Sequence, residues 1–102
     1  MIIPGAEHAI ISADKIVRYL LSLEHPDGAS KARVLSHAGF AAERPEELEW
    51  ALRADHLTKD AREGTPSLFG TKYEIVGPLT GPSGTVVVKS IWMTRFDESF
   101  PR

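Results

Sequence analysis

The apolar residues of this chain change their period near Gly70, from roughly 3.6 residues to 2, and that switch dictates helices first and strands afterwards. Upstream, Ile16, Val17, Leu20 and Leu21 recur at helical spacing. Downstream, Lys72 to Val76 and Thr85 to Arg95 are rich in β-branched and aromatic residues. A chain of 102 residues has the length of one domain and buries roughly two-thirds of its unfolded surface. The reading is a single α+β domain over 1–102: two to three N-terminal helices packed on a small, mainly antiparallel β-sheet. The helical part covers about 12–60, a loop 61–70 and the β part 71–102.

Ser12 precedes the first helical stripe, which runs from about Ala13 to Glu24 with Tyr19 and Leu23 widening it. The corner His25-Pro26-Asp27-Gly28-Ala29-Ser30-Lys31-Ala32-Arg33 follows, where Pro26 fixes one φ, Gly28 frees another and Ser30 offers a cap to the next helix. That second helix uses Val34, Leu35 and Ala38, and Gly39 stands where a left-handed cap ends it, with Phe40 as the hydrophobic contact beyond. Pro45 at a first helical position and Glu46 and Glu47 near the dipole's positive end open a third, with Leu48, Ala51 and Leu52, running to about Lys59. Trp50 lies off the Leu48/Leu52 line and is expected to pack against the neighbouring loop or to anchor a partner. Ala9 to Ile11 suits a short β segment.

The two strand patterns are separated by Gly77 to Gly84, read as a wide Gly/Pro-bent connection. In the second strand Val86, Val88, Ser90, Trp92 and Thr94 point one way and Val87, Lys89, Ile91, Met93 and Arg95 the other. Both rows carry apolar groups, so this strand is expected to be central. Two strands alone are marginal in water. A further strand is expected around Ile10 or after Phe100-Pro101-Arg102.

Charge and composition narrow the classes. Apolar residues at 42% and charged residues at 25% match a globular chain rather than a disordered one. The absence of Cys removes disulfides and thiolate metal sites. No apolar run approaches a membrane span and no secretory leader is visible, so a cytoplasmic protein with no membrane partner is expected. Residues 1–60 hold seven Lys/Arg against ten Asp/Glu, a balance of −3, and residues 71–102 hold four against three, a balance of +1. The C-terminal part is the expected anion-facing side.

The four histidines have neither His-x3-His nor His-Glu-x-x-His spacing, and Gly81-Pro82-Ser83-Gly84 lacks the Lys and helix of a phosphate-cradling loop. No metal or cofactor is expected, and no nucleophile elbow occurs. A dispersed set of proton-transfer and anion-binding groups remains. Metal-independent RNA cleavage needs a base for the 2′-hydroxyl, an acid for the leaving oxygen and cations for the phosphorane. His25 suits the acid or base role, Lys31 and Arg102 the cations, and Tyr73 an orienting hydroxyl. Lys72, Lys89 and Arg95 are the expected nucleic-acid contacts, with Trp92 as a stacking surface. Tyr73 and Trp92 equally suit core packing, and Arg95 and Arg102 flank the acidic pair Asp97 and Glu98.

The His25-Pro26-x-Gly28-x-x-Lys31-Ala32 corner, the Gly70-x-Lys72-Tyr73 strand start, the Gly81-Pro82-x-Gly84 turn, the IWMTR strand and the closing FPR together span nearly the whole chain. In these it resembles a bacterial family of unknown function found free-standing and at the C-termini of polymorphic, contact-dependent toxins. Members of that family usually continue past the Pro-Arg pair into another strand. The order of elements is also similar to the fold of barnase-like and toxin–antitoxin endoribonucleases. The resemblance implies a toxin-type ribonuclease acting on RNA and covered by a small antitoxin or immunity protein. The rival expectation is a non-enzymatic interaction or adaptor module using an open sheet edge, and an edge of that kind also invites a homodimer.

Overall fold

The computed structural model describes residues 1–16, 29–64 and 67–101, with residues 29–31 described by backbone alone. It is an α+β fold in which helices cover one face of a three-stranded antiparallel sheet of order β1-β2-β3. The strands are β1 Arg62–Glu63, β2 Gly70–Gly81 and β3 Gly84–Arg95. No helix among the described residues is long and apolar enough to cross a membrane.

The helical layer follows local chemistry. Ser12 accepts the Lys15 N–H (3.4 Å) at the start of α1, Ala13–Lys15, and the rest of the expected first helix lies outside the described residues. Helix α2, Ala29–His37, buries Ala32 and Leu35, while Val34 stays exposed. Its end is a left-handed glycine cap: Gly39 has φ +90, its N–H donates to Ser36 O (2.9 Å), and the Phe40 N–H reaches Leu35 O (3.3 Å). Phe40 and Leu35 both enter the core, so the contact expected beyond the cap is made.

Helix α3, Pro45–Ala51, begins at Pro45 with Glu46 and Glu47 in its first turn. It then widens into a π-helical turn over Leu52–His56, closed by the Leu57 N–H to Leu52 O bond (2.9 Å). The inserted turn rotates Asp55 and His56 onto the sheet. Leu48, Ala51, Leu52 and Leu57 are buried with Ile75, Leu79 and Trp92 in the common core.

Three sequence expectations about the sheet are corrected. Rather than a wide Gly77–Gly84 connection, the strands stay paired through Gly81↔Gly84 and only Pro82 and Ser83 turn. Pro78 is tolerated inside β2 because β1 pairs only with Tyr73 and Glu74, which leaves the rest of β2 without a third-strand partner among the described residues. The third strand comes from Arg62–Glu63, inside the expected loop. The two segments expected to supply it meet each other, the Ile10 N–H donating to Pro101 O (2.9 Å). The strand expected to be central, β3, is an edge strand among the described residues. Its two-sided apolar pattern arises because one row faces the helices and the other faces solvent.

Candidate interaction surface

Register fixes which side chains share a face. Tyr73↔Trp92, Ile75↔Ser90, Gly77↔Val88 and Leu79↔Val86 form the inner face, and the alternation read from the sequence of β3 holds throughout. On the outer face lie Lys72↔Met93, Glu74↔Ile91, Val76↔Lys89 and Pro78↔Val87, with Arg62 opposite Glu74 from β1 and Arg95 at the end of β3.

The inner face holds a polar network that composition and motif reading did not assemble. His56 is fully buried, and its Nε2 lies 3.2 Å from Gly77 O, which can only accept, so Nε2 carries the hydrogen. In the neutral ring Nδ1 then accepts from the Ser90 hydroxyl at 2.7 Å, and the same hydroxyl oxygen accepts from Trp92 Nε1–H at 2.8 Å. Burial holds the imidazole pKa below its usual 6.5; the nearby Lys59 charge acts in the same sense, and the Gly77 hydrogen bond and Asp55 oppose it. Asp55, the preceding residue, accepts the Thr80 N–H (2.9 Å). Consecutive residues of the π-helical turn thus clamp β2. The signal was present in the sequence as a lone histidine on the Leu48/Leu52 stripe and a lone serine in the Val86, Val88, Trp92 row.

The groups singled out for RNA chemistry are not brought to one place among the described side chains. Tyr73 and Trp92 are 8% and 5% exposed and sit in the core, so neither ring is presented to solvent for stacking. Lys72, Lys89 and Arg95 lie on the opposite side of the sheet from both rings. Lys89 stands 3.6 Å from Glu74 and Arg95 3.8 Å from Glu98. His25 and Arg102 lie outside the described residues, as does the side chain of Lys31. No group of three or more His, Asp or Glu side chains among the described residues could hold a metal ion.

What the outer face does present is aliphatic and cationic. Val76, Val87 and Ile91 are 65%, 71% and 55% exposed, between Arg62, Lys72, Lys89 and Arg95, with Glu74 the one carboxylate that the strands contribute to the face and Glu98 beside Arg95 at its end. A solvated sheet face normally alternates to polar groups. Contiguous exposed apolar side chains rimmed by charge are the character of a docking surface. The far edge of β3 continues it, a twelve-residue strand without an acidic residue and without a neighbour among the described residues. Two hollows are open and shallow: one of roughly 410 Å³ away from this face, beside Ala6, Arg53 and Leu57, and one of roughly 180 Å³ at its end, beside Gly64, Lys72 and Phe96.

Neither a curated protein nor a solved structure matches the chain. One family model does, over residues 2–102, and it is described as a domain of unknown function, DUF6883. With essentially its full length matched, the chain belongs to the DUF6883 family.

Proposed function

We propose that this protein is an interaction module that takes an acidic protein partner on the open edge of β3 and the adjoining outer face of the sheet. One observation carries the reading: the outer face is aliphatic and basic on a chain whose net charge is −2. A partner strand added to β3 would turn its apolar residues toward the half-buried Val86 and Val88, and its acidic ones toward Lys89 and Arg95. The centre of the surface, Val76, Val87 and Ile91, offers no π face for bases, the exposed rings of Phe69 and Phe96 lying beyond its Gly70–Arg95 end, so a protein suits this surface better than single-stranded RNA does. An antitoxin or immunity protein, which the resemblance to toxin-terminal domains implies, is one partner with that chemistry. The ribonuclease reading has its centre in His25, Lys31 and Arg102 and is kept as the competing outcome.

A ten-residue peptide alternating glutamate and valine tests the proposal. It should bind and shift the methyl resonances of Val76, Val87 and Ile91, and weaken as salt rises, whereas a lysine–valine peptide should do neither. An acidic peptide that leaves those methyls unmoved overturns the proposal. So does single-stranded RNA that binds the same face in competition with it and is cut in EDTA.

A further inference from the structure

We infer that a second copy of this chain is one such acidic partner, docking the solvent side of its α3, centred on Trp50, onto the outer face of the sheet. The inference rests on the reading of that face as a docking surface. At about 100° per residue, Glu46 and Trp50 lie about 160° and 200° around α3 from the buried Leu48. They point away from the core, and Trp50 is 71% exposed rather than packed on a loop. An exposed tryptophan on a helix whose own stripe is already buried is an anchor without a pocket.

The charges agree. From Glu43 to Asp55 the chain holds five carboxylates against two arginines, a balance of −3. Glu47 is taken by Arg44, Glu49 by Arg53 and Asp55 by the Thr80 N–H, which leaves Glu43 and Glu46 unpaired among the described residues, Glu46 one helical turn from Trp50. Across the molecule the outer face holds four cations against Glu74 and the Glu98 carboxylate beside Arg95, a balance of +2, and among the described residues Arg62 and Lys72 are its unpaired cations. Because helices and open face are the two outer sides of a two-layer fold, the knob and its socket lie on opposite surfaces. The contact is therefore heterologous and head to tail, and it continues from copy to copy unless a ring closes.

Two strands of twelve residues, at ~3.3 Å per residue and ~5 Å between strands, present roughly 400 Å². Two such patches bury less than the ~1,200 Å² of a stable complex, so the association belongs to the weak, transient class and is read at high protein concentration. Sedimentation of the whole chain from ~10 µM to ~1 mM at low salt should show a mean mass that climbs with concentration and returns to monomer in ~0.5 M salt. Trp50→Ala removes the knob and Val87→Glu spoils the socket, both at exposed positions, so each variant alone should remain monomeric with an unchanged melting temperature. Mixed, they should recover a one-to-one dimer that grows no further, since Val87→Glu supplies the knob and Trp50→Ala the socket. A monomeric wild-type chain at ~1 mM, variants that associate as wild type does, or a mixture without recovery overturns the inference. Binding of the glutamate–valine peptide alongside any of these leaves the docking surface standing and removes only the second copy. Loss of peptide binding removes both.

Discussion

Replacing Ser90 by Ala deletes one oxygen and strands two buried groups. The hydroxyl accepts from Trp92 Nε1–H at 2.8 Å and donates to His56 Nδ1 at 2.7 Å, so the variant leaves a donor and an acceptor unpaired with no change in Cβ volume. Each buried orphan costs about 1–3 kcal/mol, against the ~1 kcal/mol net value of an ordinary hydrogen bond. Ser90 is half-buried, which lets water reach part of the gap, and the expected loss is about 2–4 kcal/mol. Against a total stability of about 5–15 kcal/mol, and with an m-value near ~2 kcal/mol/M, the urea midpoint should fall by roughly 1–2 M at constant slope. Ser36→Ala is the control, because that hydroxyl donates to Arg33 O within its own exposed helix and should cost under ~0.5 kcal/mol. A cycle with Trp92→Phe should show a coupling of about 1–2 kcal/mol, since the orphaned indole N–H is absent from the double variant. If Ser90→Ala unfolds within ~0.5 kcal/mol of wild type at the same slope, the network contributes nothing and its assigned protons are wrong.

Three further outcomes follow from the same contacts. His56 has a folded pKa below its unfolded value of about 6.5, so the unfolded chain binds the extra proton. The contribution of the neutral ring is therefore complete above pH ~6.5 and declines as pH falls from there toward the folded pKa, at no more than ~1.4 kcal/mol per pH unit. Melting temperatures over that window should show the decline in the wild type and a smaller one in His56→Gln, and an NMR titration placing the ring at or above 6.5 would remove the argument. Gly39→Ala puts a Cβ 2.5 Å from Ser83 Oγ at a backbone φ of +90, so strain and clash together should cost about 2–4 kcal/mol by chemical denaturation, with Ser83→Gly recovering the part owed to the side chain. Lys89→Glu, at an exposed position, should change stability by under ~1 kcal/mol yet weaken the glutamate–valine peptide about tenfold by isothermal titration; undiminished binding would place the peptide elsewhere.

The elements that announce themselves in the sequence are those whose chemistry is local. The helix start after Ser12, the Gly39 cap with Phe40 behind it, Pro45 at the start of α3 and the alternation along β3 all depend on neighbours within a few residues, and all stand as read. What was not legible depends on long-range pairing. β1 is two residues long, and nothing in Arg62–Glu63 marks a strand apart from the partner it finds in Glu74 and Tyr73. The edge position of β3 was hidden for the same reason: an apolar row facing solvent looks, in one dimension, like a row covered by another layer. Tyr73 carried an orienting-hydroxyl reading and Trp92 a stacking one, each beside a packing reading, and only register could tell which side of the sheet they join.

The π-helical turn connects these two levels. An ordinary α-helical continuation of α3 past Ala51 would advance each side chain by about 100°, and the extra residue in the turn shifts the following positions around the axis. In the observed arrangement Asp55 reaches the Thr80 N–H while His56 reaches Gly77 and Ser90, so one short segment binds both long strands from the inside. That clamp satisfies His56, Ser90 and the Trp92 indole without any group from the outer face, while the buried Thr94 hydroxyl of the same row has no hydrogen-bond partner among the described residues. Val76, Val87 and Ile91 take no part in the clamp, and the cations around them enter at most exposed ion pairs, so substitutions there should alter association while leaving folding nearly unchanged. The opposite should hold for His56 and Ser90. A protein in which outer-face variants unfold and inner-network variants lose partners would reverse that division of labour and the assignment of the docking face with it.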